Sequence, residues 1–432
     1  MPQSFTVILG KAVRYAARLR GGGSALPGLF VERISPQFVP TTLAQLPYGV
    51  VVISGTNGKT TTTKMVVALL ESQGLKVFTN RTGSNFVRGV AAALLGEVDT
   101  KGKLDADIAV LELDEAHAVK FVEIIPPRYS LLLNVMRDQL DRFGEIDATA
   151  RMLEKIAAAT TDTTVINRED QRVRRVADNL DGTPKVRFFG LAPQLTHKFP
   201  NDDELHTASD GAKTGNKTKS AVKKLPPADI ILKDFNDKGA AFTIAGKDVV
   251  TPLKLKGVYN IFNSAAALAL ARVILPDASV NSLLGALSTV TPAFGRGEVL
   301  TVGGHPLELV LVKNPAGFRL GLESYSPEGY ATMIAINDNY ADGRDMSWLW
   351  DVDFTQLIDH PVYVSGIRAY DMALRLQYDE VGMEHVETEL AKALEDFIER
   401  HPDSPKRIYC TYTAMLSLRK SLSKITRVEV VS

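Results

Sequence analysis

The sequence predicts an α/β protein: a central P-loop nucleotide-binding domain on a parallel sheet, followed by a smaller Rossmann-like α/β domain. Three observations predict this. The chain has 432 residues, more than one hydrophobic core ordinarily fills. Short β-branched runs alternate with helical runs along most of its length, the pattern of strand–helix–strand crossovers. One such strand runs directly into a glycine turn and a helix whose first turn is crowded with hydroxyls, which is how a phosphate-binding loop is written.

That loop organises the chain. Residues 50–54 are apolar and mostly β-branched; Gly55 and Gly58 let the backbone bend and bring N–H groups to an anion; the helix from about Lys59 adds the positive end of its dipole. The candidate nucleotide-binding residues are Gly55, Thr56, Asn57, Gly58, Lys59, Thr60 and Thr61. Lys59 is placed to reach the β- and γ-phosphates of ATP, and the Thr60 or Thr61 hydroxyl to ligate Mg2+. The general Walker pattern wants one more glycine where Ile53 stands, so the loop is the shorter Gly-Thr-Asn-Gly-Lys-Thr form. A bare strand-to-helix turn is the competing reading of the two glycines, and it leaves the lysine in register unexplained.

Upstream, residues 4–20 read as an amphipathic helix with Lys11, Arg14, Arg18 and Arg20 on its solvated side. Such a helix can pack on the domain it precedes or lie on anionic lipid, and the small number of basic residues favours packing. Downstream, residues 76–79 form a second strand, and residues 80–89, with Arg81, Gly83, Arg88 and Gly89, read as a phosphate clamp or a solvated loop. Residues 107–114 form a buried strand ending in acids. Ligands of parallel sheets sit beyond the carboxyl ends of strands, so Glu112 is placed to hold a metal ion. Asp114, Glu115 and His117 either join that site or cap the next helix. The following strand ends in Asn134, Asp138, Gln139 and Asp141, and one more, from Thr164, in Asn167 and Asp170.

From Lys185 the pattern changes to short strands, with a polar insertion over about 195–250. Within it residues 201–224 are too hydrophilic to bury and read as a mobile loop, and hairpin strands fall at 230–232 and 240–244. A long alanine-rich helix runs through Arg272. The chain thus divides into a lead-in (1–47), a central domain (48–298) and a C-terminal domain (299–432). In the last, strands at 307–312, 332–336, 362–365 and 408–412 alternate with helices, including an amphipathic one over 387–400. Residues 337–351 follow a strand end and hold both tryptophans with Asp338, Asp342, Asp345 and Asp351. That is where α/β proteins put chemistry, the alternative being a solvated acidic loop beside core tryptophans.

Bulk numbers exclude several classes. Lys+Arg 50 against Asp+Glu 50 argues against a nucleic-acid partner. A single cysteine, Cys410, allows no internal disulfide and no all-cysteine metal site, so no zinc is expected. No run approaches ~18 apolar residues, and no charged segment followed by a long apolar one opens the chain. A cytoplasmic enzyme is expected.

The hexapeptide from Gly55 to Thr60 resembles the ATP loop of the Mur ligase and folylpolyglutamate synthase superfamily, which activates carboxylates as acyl phosphates. The likeness narrows elsewhere. Residues 137–145 read Arg-Asp-Gln-Leu-Asp-Arg-Phe-Gly-Glu, with Gln139 where the superfamily usually has histidine. Together with Gly-Gly-Ser-Ala-Leu-Pro-Gly (22–28), Thr-Gly-Ser-Asn (82–85), Lys-Asn-Pro-Ala-Gly-Phe (313–318), the run from Asp338 to Trp348 and Thr-Tyr-Thr-Ala-Met-Leu (411–416), it resembles the MurT family, the ATP-using subunits of lipid II isoglutaminyl synthases. The fold so implied is a Mur-ligase-type central domain with a MurT-type C-terminal domain. The nearly 50 residues before the loop strand are too few for the sugar-nucleotide domain of amino-acid-adding Mur ligases, and their Asp-Asn-Pro-Arg is absent, which suits ammonia as nucleophile.

The resemblance implies roles. Asn167, Asn260 and Asn263 would stand near the nucleotide, although one of the last two could cap its helix, and Arg296 on the phosphates or ribose. Lys59, with two Mg2+ held by Thr60 and Glu112, the second by Glu112, would neutralise phosphate charge while ATP phosphorylates the α-carboxyl of D-glutamate in the lipid II stem peptide. Ammonia would come from a GatD-like glutaminase subunit, because Cys410 sits in an apolar strand and reads as core. Asp338 is the first candidate, and Asp345 the second, to orient the partner's catalytic histidine, with Asp342 the remaining nearby acid. Lipid II implies work at the inner face of the membrane. Two other classes compete: a ligase joining an amino acid, and a non-catalytic ATP-binding scaffold.

Overall fold

The computed structural model describes residues 3–19, 26–80, 87–136, 146–199, 225–236, 238–255, 257–291 and 296–428. Expectations for Arg81, Gly83, Asp138, Gln139, Asp141 and the 201–224 stretch lie outside the described residues, as does the Arg296 side chain.

Three helices, α1 (Gln3–Leu19), α2 (Leu26–Ile34) and α3 (Phe38–Leu43), lead into β1 (Val50–Ser54) and α4 (Lys59–Glu71). The strands β2 (Val77–Thr79), β3 (Ile108–Glu112), β4 (Tyr129–Leu132), β5 (Thr163–Asn167) and β6 (Lys185–Leu191) follow, then β7 (Ile230–Asn236), β8 (Gly239–Ile244) and β9 (Lys247–Pro252). They form one nine-stranded sheet in the order β2-β3-β1-β4-β5-β6-β7-β8-β9, parallel as far as β7 and antiparallel across β8 and β9.

Every residue of β1, β3, β4 and β5 is buried, so their side chains are apolar or, where polar, partnered inside, as Ser130 of β4 is by donating to the Thr164 hydroxyl of β5 at 2.8 Å. Helices cover both faces of a parallel sheet, so no side of these strands meets water. On one face Met65, Val66, Leu69 and Leu70 of α4 pack against Ile261, Phe262 and Leu268 of the long helix Val258–Ile274. On the other, Val31, Phe38, Val90, Leu94, Phe121 and Leu153 form a second core beneath the lead-in helices and α5 (Val87–Glu97). The lead-in is therefore an integral layer. Gly10 lets α1 approach closely: a Cβ there would stand 2.8 Å from both Leu95 and Val31 side chains.

The second sheet has six strands, ordered β10-β11-β15-β12-β13-β14, with β10 (Arg296–Val302) antiparallel to β11 (His305–Leu311) and the rest parallel. Its other members are β12 (Ala331–Ala335), β13 (Val362–Ser365), β14 (Met383–Glu387) and β15 (Lys406–Cys410). Aromatic packing centred on Phe318 fills one face and Phe397, Met415 and Leu418 the other.

Three expectations are corrected. Arg296 opens β10, so the second sheet takes in the segment assigned above to the end of the first domain. The helix expected over 387–400 begins at Leu390, where Glu389 accepts hydrogen bonds from the Ala391 and Lys392 backbone N–H groups; Glu387 belongs to β14. Neither Asn260 nor Asn263 caps its helix: Gly257, at φ +88°, holds the N-cap position and both asparagines lie inside. Among the described residues no helix is long and apolar enough to cross a membrane.

Candidate active site

The order β3-β1-β4 brings three strand ends together. Ile53 lies level with Glu112 of β3, and Ser54 with Leu132 of β4, so the loops after all three strands share one end of the sheet. Gly55, at φ +135°, lies against the residue after β4: a Cβ there would be 2.9 Å from the Asn134 nitrogen. Gly58, at φ +87°, is the N-cap of α4, and a Cβ there would be 2.2 Å from Asn263 Nδ2. Both positions need glycine for conformation and for space.

The loop is clamped before any ligand arrives. The Asn57 N–H donates to Asn134 Oδ1 at 2.9 Å, and Asn134 Nδ2 donates back to the Asn57 carbonyl at 2.9 Å. The Thr56 hydroxyl accepts from the Met136 N–H at 3.1 Å and donates to its carbonyl. Four bonds to one short segment fix the loop, so little ordering is left for nucleotide binding to impose.

Lys59 is buried, only 5% exposed, yet well partnered. Its ammonium donates to the Gly55 carbonyl at 2.7 Å and pairs with Asp114 at 3.1 Å, with Glu115 at 4.0 Å. Asp114 and Glu115 therefore do belong to this site, where they hold the lysine charge at the loop. Asp114 also stands at the N-cap of the next helix, without a side-chain cap bond.

Thr60 Oγ1 donates to Glu112 Oε1 at 2.7 Å, whereas Thr61 is fully buried and its hydroxyl has no hydrogen-bond partner among the described residues. Of the two hydroxyls, that of Thr60 is the one beside the Glu112 carboxylate. Asn80 fixes the Glu112 backbone from both sides, accepting from its N–H at 3.0 Å and donating to its carbonyl at 2.7 Å.

The second sheet reaches this end. Lys313 Nζ donates to the Thr56 carbonyl at 3.2 Å and Asn314 Nδ2 to Asn57 Oδ1 at 3.3 Å. Asn314 is held by capping the helix Pro315–Ser324, where its Oδ1 accepts from Gly317 N–H at 2.7 Å. Asn57, Asn134, Asn260, Asn263, Lys313 and Tyr325 face one cleft between the two halves. Sequence reasoning did not assign Asn134, Lys313 or Asn314 to the loop. The asparagine before a proline at a helix start was a readable cap signal, but its second partner, 257 residues away in the chain, was not.

Asn167 stands apart from this cleft. Its Nδ2 donates to the Leu133 carbonyl at 2.8 Å and its Oδ1 accepts from Glu169 N–H at 3.0 Å, so it braces the exit of β4. Asp170 does the same, accepting from Val135 N–H at 2.7 Å while capping the helix Gln171–Val176.

The acids after β12 separate by environment. Asp338 accepts from Arg368 Nε at 2.9 Å, with its side chain 23% exposed. Asp342 is 2% exposed and accepts from the N–H and hydroxyl of Thr413 and from Asn339 N–H; burial pushes its carboxyl pKa up. It ties β12 to β15. Asp345 accepts from Ser347, whose donors hold its carboxyl below the usual range. Cys410 is fully buried, and that burial pushes its thiol pKa far up, the wrong direction for a nucleophile.

A strand–loop–helix anion cradle at the carboxyl end of a parallel sheet, met by a second α/β unit, is the architecture of the Mur ligases. Residues 53–271 match the Mur ligase middle domain family. The fold superposes on MurF from Acinetobacter baumannii with a TM-score of 0.66 at 17% identity, covering 92% of this chain and 80% of that one. MurF from Thermotoga maritima, solved in complex with ADP, gives 0.65 at 18% identity over 89% and 83%. Residues 311–415 match the MurT ligase C-terminal family. The MurT subunit of the glutamine-hydrolyzing lipid II isoglutaminyl synthase of Streptococcus pneumoniae is 31% identical over 446 aligned positions, 96% of each chain. That of Staphylococcus aureus strain COL is 28% identical over 88% of this chain and 89% of its own. The chain belongs to the MurT family.

Proposed function

We propose that this chain is the ATP-using subunit of a lipid II isoglutaminyl synthase, a carbon–nitrogen ligase of peptidoglycan synthesis that takes its nitrogen from glutamine through a partner. The observation that carries the reading is the Lys59 ammonium within a clamped glycine loop, beside the Thr60–Glu112 pair, in a chain similar to MurT subunits over nearly its whole length. The division into lead-in, ATP domain and C-terminal ligase domain belongs to the same proposal.

The loop N–H groups and the N-terminus of α4 receive the nucleotide phosphates, and Lys59 turns from Asp114 toward them. Thr60 and Glu112 fit Mg2+: two hard oxygens 2.7 Å apart, one a carboxylate 9% exposed, which with phosphate oxygens make the mixed set this ion prefers. Bound there, the ion supplies charge neutralisation on the transferring phosphoryl group. The γ-phosphoryl passes to the α-carboxylate of D-glutamate in lipid II, giving an acyl phosphate and ADP. Ammonia then attacks the carbonyl carbon; the C–N bond forms, the C–O bond to phosphate breaks, and phosphate and a proton leave. Asn260, Asn263 and Arg296 complete the nucleotide's surroundings in this reading.

With its only thiol in the core, this chain leaves glutamine hydrolysis to a GatD-like subunit, whose catalytic histidine Asp338 orients. Cys410→Ala is accordingly expected to keep glutamine-driven turnover within about twofold, at a stability cost of roughly 1–2 kcal/mol for the small cavity. Glu112→Gln, which keeps shape and removes the charge, is expected to lower kcat by about a hundredfold or more and to raise the Mg2+ concentration needed for half-maximal rate. The test of the function is turnover of lipid II by the purified complex with ATP and ammonium. ADP release that lipid II does not stimulate would instead mark a scaffold.

A further inference from the structure

Helix α1 contributes nothing to the site, and its two long faces differ. One packs inward through Thr6, Val7 and Gly10. The other presents Phe5, Ile8 and Tyr15 to solvent, 52%, 57% and 68% exposed, with exposed Ala12 between them. Spacings of three, four and three residues align these on one stripe. Leu26, 54% exposed, opens the helix packed beside it.

The charge that α1 itself carries has one sign, although Glu97 and Asp99 at the end of α5 stand exposed beside Lys11 and Arg14. Lys11, whose ammonium reaches the Val98 carbonyl at 2.6 Å, and Arg14, whose guanidinium lies over Gly96, are half-buried along one edge of the stripe. The sequence holds Lys11, Arg14, Arg18 and Arg20 before its first acid, Glu32, although the chain as a whole balances 50 bases against 50 acids. Exposed aromatic and aliphatic side chains on a helix that carries bases and no acid of its own match an anionic bilayer surface: the apolar stripe enters the head-group boundary and the helix's cations meet lipid phosphates. A lipid-linked substrate places the enzyme at such a surface, because the polyprenyl tail keeps its head at the membrane.

We propose that α1 is a membrane-surface anchor that holds the ligase against anionic lipid through Phe5, Ile8 and Tyr15; the proposal rests on the lipid-linked substrate of the function above. The packing that the sequence favoured for this helix holds for its inner face, and the proposal concerns the outer one. The full chain with its glutaminase subunit should float with vesicles of equimolar phosphatidylglycerol and phosphatidylcholine, and about tenfold less with phosphatidylcholine alone. The triple variant Phe5→Ser, Ile8→Ser, Tyr15→Ser should lose about tenfold of the anionic binding, as should the single variant Tyr15→Glu, which guards against misfolding of the triple. Both should still copurify with the partner and turn over detergent-dispersed lipid II at the unaltered rate. Equal flotation on both vesicle types, no flotation on either, or variants that float like the parent would overturn the proposal. Loss of copurification in the variants would overturn it too, assigning the stripe to the partner subunit. Turnover of dispersed lipid II by the unaltered complex tests the function separately, since no vesicle is needed for it.

Discussion

Replacing Lys59 by alanine is expected to lower amidation at least about a thousandfold, roughly 4 kcal/mol of transition-state stabilisation, with ammonium and with glutamine alike. Two effects act together. The ammonium that would meet the phosphoryl charge is gone, and Asp114 and Glu115, 3.1 and 4.0 Å from it, are left facing an anion site without their counter-charge. Lys59→Arg should fare little better, because a planar fork does not fit a slot where the lysine is 5% exposed and bonded to the Gly55 carbonyl. Single-turnover formation of amidated lipid II, with ADP measured in the same samples, checks this. A rate within tenfold of the parent would remove Lys59 from phosphoryl transfer.

Asp338→Asn is the second large effect, and it should be selective. Glutamine-driven amidation should fall by about a hundredfold or more, as when the orienting acid of a triad is lost, while the ammonium-driven rate stays within about twofold. Asp338 suits an orienting role because Arg368, itself paired with Asp371 at 3.2 Å, fixes its position without burying it. Asp342 does not suit it, because its oxygens are taken by Thr413 and Asn339. Its replacement should depress both reactions together through stability. Equal loss with ammonium and glutamine in Asp338→Asn would refute its role toward the partner, leaving Asp345 as the candidate.

The parts of the fold legible in the sequence are those set by local pattern or by burial on both faces. β1, β3 and β4 were readable because a parallel strand covered by helices is apolar at most positions. The loop was readable because two glycines at positive φ, a lysine and a hydroxyl occur at fixed spacing. β14 was not, since an edge strand with Met383, Glu384 and His385 exposed carries no apolar signal. Arg296 fell at the close of the central domain in the sequence division, whereas its backbone pairs with β11.

Within the site, identity was legible and pairing was not. The sequence places a carboxylate at the end of β3, but only the register of β3 with β1 sets Glu112 beside Thr60 and not Thr61. Asn167 carried the right residue type at a strand end, yet its Nδ2 bonds to the backbone after β4 and its Oδ1 to the backbone after its own strand β5. Lys313 and Asn314 reach the loop from the other half of the molecule, a proximity that topology creates and no local window contains. The two faces of α1 were likewise inseparable until packing chose one of them.

The most direct measurement of the central claim is mass spectrometry of lipid II after incubation of the purified chain and its partner with ATP, Mg2+ and ammonium. One carboxyl per stem peptide should become a carboxamide, at the D-glutamate α-position, with one ADP and one phosphate released for each. Lipid II of unchanged mass, or ADP released out of proportion to amide, would contradict the account.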